Sequence, residues 1–142
     1  MRAYAPVVEH ARAAGLNINF EGMKRTPKTL NAHRLIHWAG IEGRQTAAVA
    51  ALFDAYFVQT RDIGDTEVLA DIADSIEMDA AVVTRLLNTD EDTKAISDRD
   101  AHSRSMGISS VPTFIVANQH AVPGAQPPEL WAKVISDLAG AA

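Results

Sequence analysis

The 142-residue chain contains no cysteine, which removes disulfide bonds, thiolate nucleophiles and thiolate metal sites from it and leaves the redox compartment open. Long apolar runs are missing as well. No stretch approaches the ~20 residues needed to span a bilayer, and the opening segment MRAYAPVVEHARAAG reads as a helix with internal charges rather than a signal peptide. Positive charge is scarce: 13 Lys and Arg stand against 18 Asp and Glu, for a net charge of −5 and a pI near 5.4. The only basic cluster is Met23-Lys24-Arg25. Phosphate neutralisation needs clustered Lys and Arg, so nucleic acid is excluded as a main partner. A soluble, cytoplasmic protein with no membrane partner is the expectation. What remains, 47% apolar and 22% charged residues, suits one globular domain with a real core.

Helical spacing dominates the first two thirds of the chain. Tyr4 to Ala14 reads as a helix, with Pro6 in its first turn and Gly15 just past its end. Leu16 to Phe20 alternates apolar and polar residues, as a short strand or extended stretch does. Thr26-Pro27 offers an N-cap and a proline at the first helical position, and Ala32, Leu35, Ile36 and Ala39 form a stripe that stops at Gly40. From Arg44 to Thr60, Val49, Leu52, Phe53, Tyr56 and Phe57 keep helical register over several turns. Asp65 caps a further helix with Val68, Leu69, Ile72, Ala73 and Ile76 on its buried face, and Asp79 opens a short one through Val82, Val83, Leu86 and Leu87. A sixth, more polar segment runs from Asp92 to Met106 and stops at Gly107.

The pattern then changes. Thr113-Phe114-Ile115-Val116 is a β-branched and aromatic strand entered through Pro112, whose ring permits a cis or a trans peptide after Val111. Asn118-Gln119-His120 predicts a hairpin turn into a second strand at Ala121 to Pro123. Pro127 and Pro128 start a last helix whose stripe, Trp131, Val134, Ile135 and Leu138, is expected to pack on the two strands.

Candidate chemistry is thin. His33 and His37 stand four apart on one helix, the spacing of two metal-binding imidazoles, but no glutamate of the His-Glu-x-x-His kind and no thiolate accompany them, so packing or hydrogen bonding is the better reading. His10, His102 and His120 have no evident mates and are expected at the surface. The clusters Asp62, Asp65, Glu67 and Asp90, Glu91, Asp92 lack the glycine-centred alternation of a calcium loop, and helix capping accounts for both. Ser103, Ser105, Ser109 and Ser110 lie in no nucleophile elbow. Phe53, Tyr56 and Phe57 could line an apolar pocket; at regular helical spacing they read as core.

An ordered set of segments resembles the DsbA family of thiol–disulfide oxidoreductases, and within it the FrnE-like branch, whose relatives include 2-hydroxychromene-2-carboxylate isomerases. The carriers are Arg25-Thr26-Pro27 with Asn31-Ala32-His33-Arg34-Leu35, Leu52-Phe53-Asp54-Ala55-Tyr56-Phe57, and Asp62-Ile63-Gly64-Asp65 with Val68-Leu69. They continue through Gly107-Ile108-Ser109-Ser110-Val111-Pro112-Thr113-Phe114 to Gly124-Ala125-Gln126. The resemblance implies a thioredoxin-like α/β fold of the DsbA type, mostly helical. Residues 1–142 would form a single DsbA-like domain, with a helical insertion at 26–106 and a C-terminal ββα unit at 107–142.

It also implies that the family's first βαβ half, with a Cys-x-x-Cys at the start of its helix, lies upstream of Met1. There a helix dipole lowers the attacking thiol's pKa. Val111 and Pro112 then match the family's substrate-contacting cis-proline loop, while no residue of this chain matches a nucleophile, a metal ligand or a cofactor site. The implied partner is a protein or peptide thiol or disulfide. Two alternatives stay open. One is an isomerase that uses glutathione on a small-molecule substrate, with serine in place of the first cysteine. The other is a redox-inactive module that binds peptides or self-associates as a homodimer covering an open sheet edge.

Overall fold

A computed structural model describes residues 5–140 of the chain. The described elements are α1 (Ala5–Ala13), α2 (Leu30–Ile41), α3 (Gln45–Phe53), α4 (Thr66–Ser75), α5 (Ala80–Leu87), α6 (Thr93–Ser105), β1 (Thr113–Val116), β2 (His120–Pro123) and α7 (Pro128–Gly140). Tyr4, the expected first residue of α1, lies outside the described residues. No helix among them is long and apolar enough to cross a membrane. The chain divides into two compact units, one ending at Asp98 and the other beginning at Arg99.

The first unit owns the core. Helices α2 and α3 pair, α4 and α5 pair, and α4 also lies against α2 and α3. Their facing positions bury Leu35, Ala39, Ala48, Leu52, Leu69, Ile72, Ala73, Val83 and Leu87, the i, i+3 and i+4 partners that helical periodicity puts on one face. Both aspartate caps form. Asp65 Oδ1 accepts the Glu67 N–H at 2.8 Å, and Asp79 Oδ1 accepts the N–H groups of Ala81 and Val82 at 2.9 and 3.0 Å. Each satisfies donors that the first turn of a helix leaves without partners.

Arg34 is the one buried charge among the described residues, with 2% of its surface exposed. Its guanidinium donates to the carbonyls of Leu86 (2.8 Å), Thr89 (2.9 Å) and Glu91 (2.8 Å) and to Asn31 Oδ1 (3.0 Å), and it lies 5.0 Å over the Trp38 ring. A planar five-donor cation suits this place: it caps the C-terminal end of α5, where carbonyls and the helix dipole concentrate negative charge. Trp38 Nε1 donates to Asp92 Oδ2 at 2.8 Å and so ties α2 to the residue before α6.

Four sequence expectations are corrected or narrowed. Helix α2 begins at Leu30, not at Pro27, and Thr29 rather than Thr26 is its N-cap residue. Residues 25–28 are held outside the helix instead, because Arg25 pairs with Asp62 and the Lys28 backbone packs on Gly64, where an added Cβ would meet Lys28 O at 3.0 Å. The residue before a proline is also steered away from the helical region. The helix expected from Arg44 to Thr60 ends at Phe53 and gives way to a π turn over Asp54–Val58, with Gln59 N–H donating to Asp54 O at 3.0 Å. Periodicity does not register one extra residue in a turn.

The third is a choice the sequence left open, and it is connected to the second. The Phe57 carbonyl in the π turn accepts the Asn19 N–H at 2.8 Å, and Asn19 Oδ1 accepts the Gly22 N–H at 3.0 Å. Of the two readings its alternation allowed, Leu16 to Phe20 therefore takes the extended stretch and not the strand, and it ends in a tight turn at Phe20–Gly22. Fourth, the hairpin turn lies a residue earlier than expected: Ala117 and Asn118 take φ of 53° and 55°, Gln119 N–H donates to Val116 O at 3.1 Å, and His120 already belongs to β2. Two successive positive φ values are the signature of the hairpin turn whose twist matches its strands.

Candidate functional site

The site is built outward from the end of α6. Gly107 takes a φ of 83°, which a glycine adopts without steric cost, and closes the helix: its N–H donates to Arg104 O at 3.0 Å and the Ile108 N–H to Ser103 O at 3.2 Å. The chain then runs without regular structure to Pro112, and the Val111–Pro112 peptide is cis. Two bonds fasten this loop. Thr113 Oγ1 donates to Ser110 O at 2.7 Å, and the Gly124 N–H donates to Pro112 O at 2.7 Å. The second bond continues the antiparallel register, in which Thr113 faces Pro123 and Phe114 faces Val122.

Val111 stands out from this fastened frame with 91% of its surface exposed. Beneath it, Phe114 packs edge-on against Trp131 with ring centroids 4.9 Å apart, joining β1 to α7. The α7 stripe meets the strands only in part. Trp131, Val134 and Leu138 are half-buried, whereas Ile135 is 65% exposed and does not share the packed face.

Chemically, the loop offers backbone and apolar surface. Val111 and Pro112 carry no ionisable group and Pro112 no N–H, so neither side chain can attack a bond or move a proton.

The other residues singled out in the sequence serve structure. Asp62 accepts the Gly64 N–H at 2.9 Å and pairs with Arg25; the backbone bond first and the guanidinium second hold its carboxyl below the ordinary carboxylate range. Asp65 caps α4. The Asp92 carboxylate takes the Trp38 indole N–H and lies 3.9 Å from His37 Nε2. His33 is exposed on α2, as are His10, His102 and His120 in their own segments. Among the described residues no three His, Cys, Asp or Glu side chains come together where they could hold a metal. The aromatic run is less buried than a core reading allows: Phe53 is 60% exposed, and Tyr56 and Phe57 are half-buried with rings 4.9 Å apart. Tyr56 keeps contact with the core cluster from within the π turn.

Sequence reasoning passed over Arg34 and the Gly124–Pro112 bond. Arg34 had a readable signal, because it sits four residues before Trp38 on the Leu35 face, where a solvated arginine is out of place.

A helical block followed by a ββα unit, with proline at the entrance of its first strand, is the layout of a DsbA-type thioredoxin-like fold. The family pattern of the DSBA-like thioredoxin domain matches residues 5–136, and the chain belongs to that family. Among curated proteins it is similar to the uncharacterized protein YwbO of Bacillus subtilis strain 168, 29% identical over 129 residues that make up 89% of this chain and 64% of YwbO. Among solved structures, a probable DsbA oxidoreductase from Streptomyces coelicolor matches with a TM-score of 0.84 and 25% identity, over 98% of this chain and 60% of that one. A second, from Nitrosomonas europaea, matches with a TM-score of 0.77 at 18% identity over 94% of this chain and 72% of that one, and shares the fold. The chain thus spans less than two thirds of YwbO and of the Streptomyces protein.

Proposed function

We propose that this chain provides the substrate-binding part of a cytoplasmic thiol–disulfide oxidoreductase of the FrnE-like kind, with Val111 and Pro112 as the residues that contact a protein or peptide substrate. The observation that carries this reading is the exposure of Val111 at a strand entrance fixed by the Gly124–Pro112 bond, in a chain of the DSBA-like family. An extended peptide laid beside Val111 would pair with its backbone N–H and C=O, the way a strand adds to an open sheet edge.

This chain has no thiol, so the dithiol comes from residues outside these 142. In the exchange, a thiolate attacks one sulfur of the substrate disulfide, the other sulfur leaves as a thiolate, and the mixed disulfide rests against the Val111 loop. The second thiol then attacks that bond, releasing the reduced substrate and leaving the enzyme's disulfide. Val111 holds the peptide through both steps, while Pro112 presents no competing donor.

The test is a thiol count by alkylation and intact mass on the protein from its own cell, paired with an insulin-reduction assay. Two alkylatable thiols and turnover that falls about tenfold in Val111→Pro, which removes the pairing N–H, support the proposal. A thiol-free protein without turnover overturns it and leaves a peptide-binding module.

A further inference from the structure

Helix α6 is held differently from every helix before it. Each of α1 to α5 buries at least one side chain, whereas the thirteen residues of α6 bury none, and only Thr93, Ile96 and Ser103 are half-buried. Its composition is also poor for a helix. Serine, threonine, aspartate and histidine fill more than half of TKAISDRDAHSRS, and these residues compete with the helical backbone or lose rotamer freedom in it. Isolated helices shorter than about 12–15 residues are marginal in water even with better sequences.

Ion pairs are its main side-chain support, and they are weakly placed. Lys94 and Asp98 meet at 2.5 Å, and Asp100 and Arg104 at 2.8 Å, with all four side chains between 62% and 86% exposed, where salt screens them. Lys94 precedes its carboxylate, the less favourable order, and puts a cation in the first turn against the helix dipole. Both ends are tied down: the Ile96 N–H donates to Asp92 O at 3.0 Å, Asp92 is held by Trp38, and Gly107 closes the far end. The boundary between the two compact units falls between Asp98 and Arg99, inside this helix.

We infer that α6 opens locally as a unit of its own while α2 to α5 stay folded, and that rising ionic strength promotes the opening. The chain that leads into Val111 and Pro112 is then a yielding tether whose stiffness follows the salt concentration. This holds whether or not the loop serves disulfide exchange.

Amide hydrogen exchange on the 142-residue chain at about 20 mM and about 500 mM salt tests it. After correction for intrinsic rates, amides from Ile96 to Ser103 are expected to exchange at least about tenfold faster than those from Leu69 to Ala73. The gap should widen about twofold at the higher salt. Equal protection in the two helices, or a gap that salt leaves unchanged, overturns the inference. Ala95 is exposed, so Ala95→Gly gives a second reading: exchange should rise about fivefold in α6 alone. The same rise in α4 and α5 would make α6 part of the cooperative core and overturn the inference as well.

Discussion

The two compact units are quite unlike as interiors. Every buried side chain among the described residues, from Ala11 to Leu87, belongs to the unit that ends at Asp98; from Arg99 on there is none. The first unit closes its helices over one another and needs nothing else to have a core. The second has a hairpin, one helix and an edge-on Phe114–Trp131 contact, but Val111, Phe114, Ile115 and Ile135 remain open. Regular backbone and burial are separate achievements. A two-stranded hairpin with one helix face against it satisfies the first long before the second.

This difference can be broken most directly with the chain's two tryptophans, since Trp38 lies in the first unit and Trp131 in the second. In Trp131→Phe the remaining fluorescence follows the first unit, and the difference from wild type follows the second. At about 0.05–0.15 kcal/mol per residue, the first unit should hold some 5 kcal/mol or more; the second, with no buried side chain, should fall below its share on that scale. Urea titration should therefore show the Trp131 signal changing well before the Trp38 signal; coincident midpoints would erase the contrast.

Arg34→Met comes next in size. It leaves the carbonyls of Leu86, Thr89 and Glu91 without their donor and should cost the first unit about 3 kcal/mol, read from the Trp38 transition. A cost below about 1 kcal/mol would mean that apolar packing alone organises that unit. Asp79→Ala should cost about 1 kcal/mol through the lost cap of α5, checked in the same titration.

The smallest effect concerns acid. The Asp62 carboxyl is held below its unfolded value near 3.9, so its contribution is complete above that pH and is lost as pH falls through the lower folded value. Stability measured between about pH 5 and pH 2 should fall less steeply in Asp62→Asn than in wild type. Parallel curves would remove Asp62 from the acid response.

Much of the first unit was legible because its signals are local. Leu69, Ile72 and Ala73 repeat at helical spacing, and Asp65 and Asp79 stand where caps stand. Gly107 and the strand after Pro112 were legible for the same reason, and Val111 and Pro112 stood out by turn chemistry and family resemblance together. What escaped depends on partners far along the chain. The start of α2 is set by Asp62 and Gly64 acting on Arg25 and Lys28, and the path of Leu16 to Phe20 by the Phe57 carbonyl. The burial of Arg34 answers to carbonyls more than fifty residues away. Within the site, the Gly124–Pro112 bond follows from strand register, which a composition of β-branched residues announces without fixing its phase.

That last bond bears on how freely the surface around the loop can change. Donor and acceptor are both main-chain groups, so replacing the side chains of Phe114, Ile115, Ala121 or Val122 does not remove either of them. Gly124, at a φ of 81°, and Thr113, whose hydroxyl fastens the loop to Ser110 O, are the positions restricted in what may stand there. The shape of the loop and the surface that surrounds it are therefore independently variable, and a binding preference could be retuned one side chain at a time on an unaltered frame.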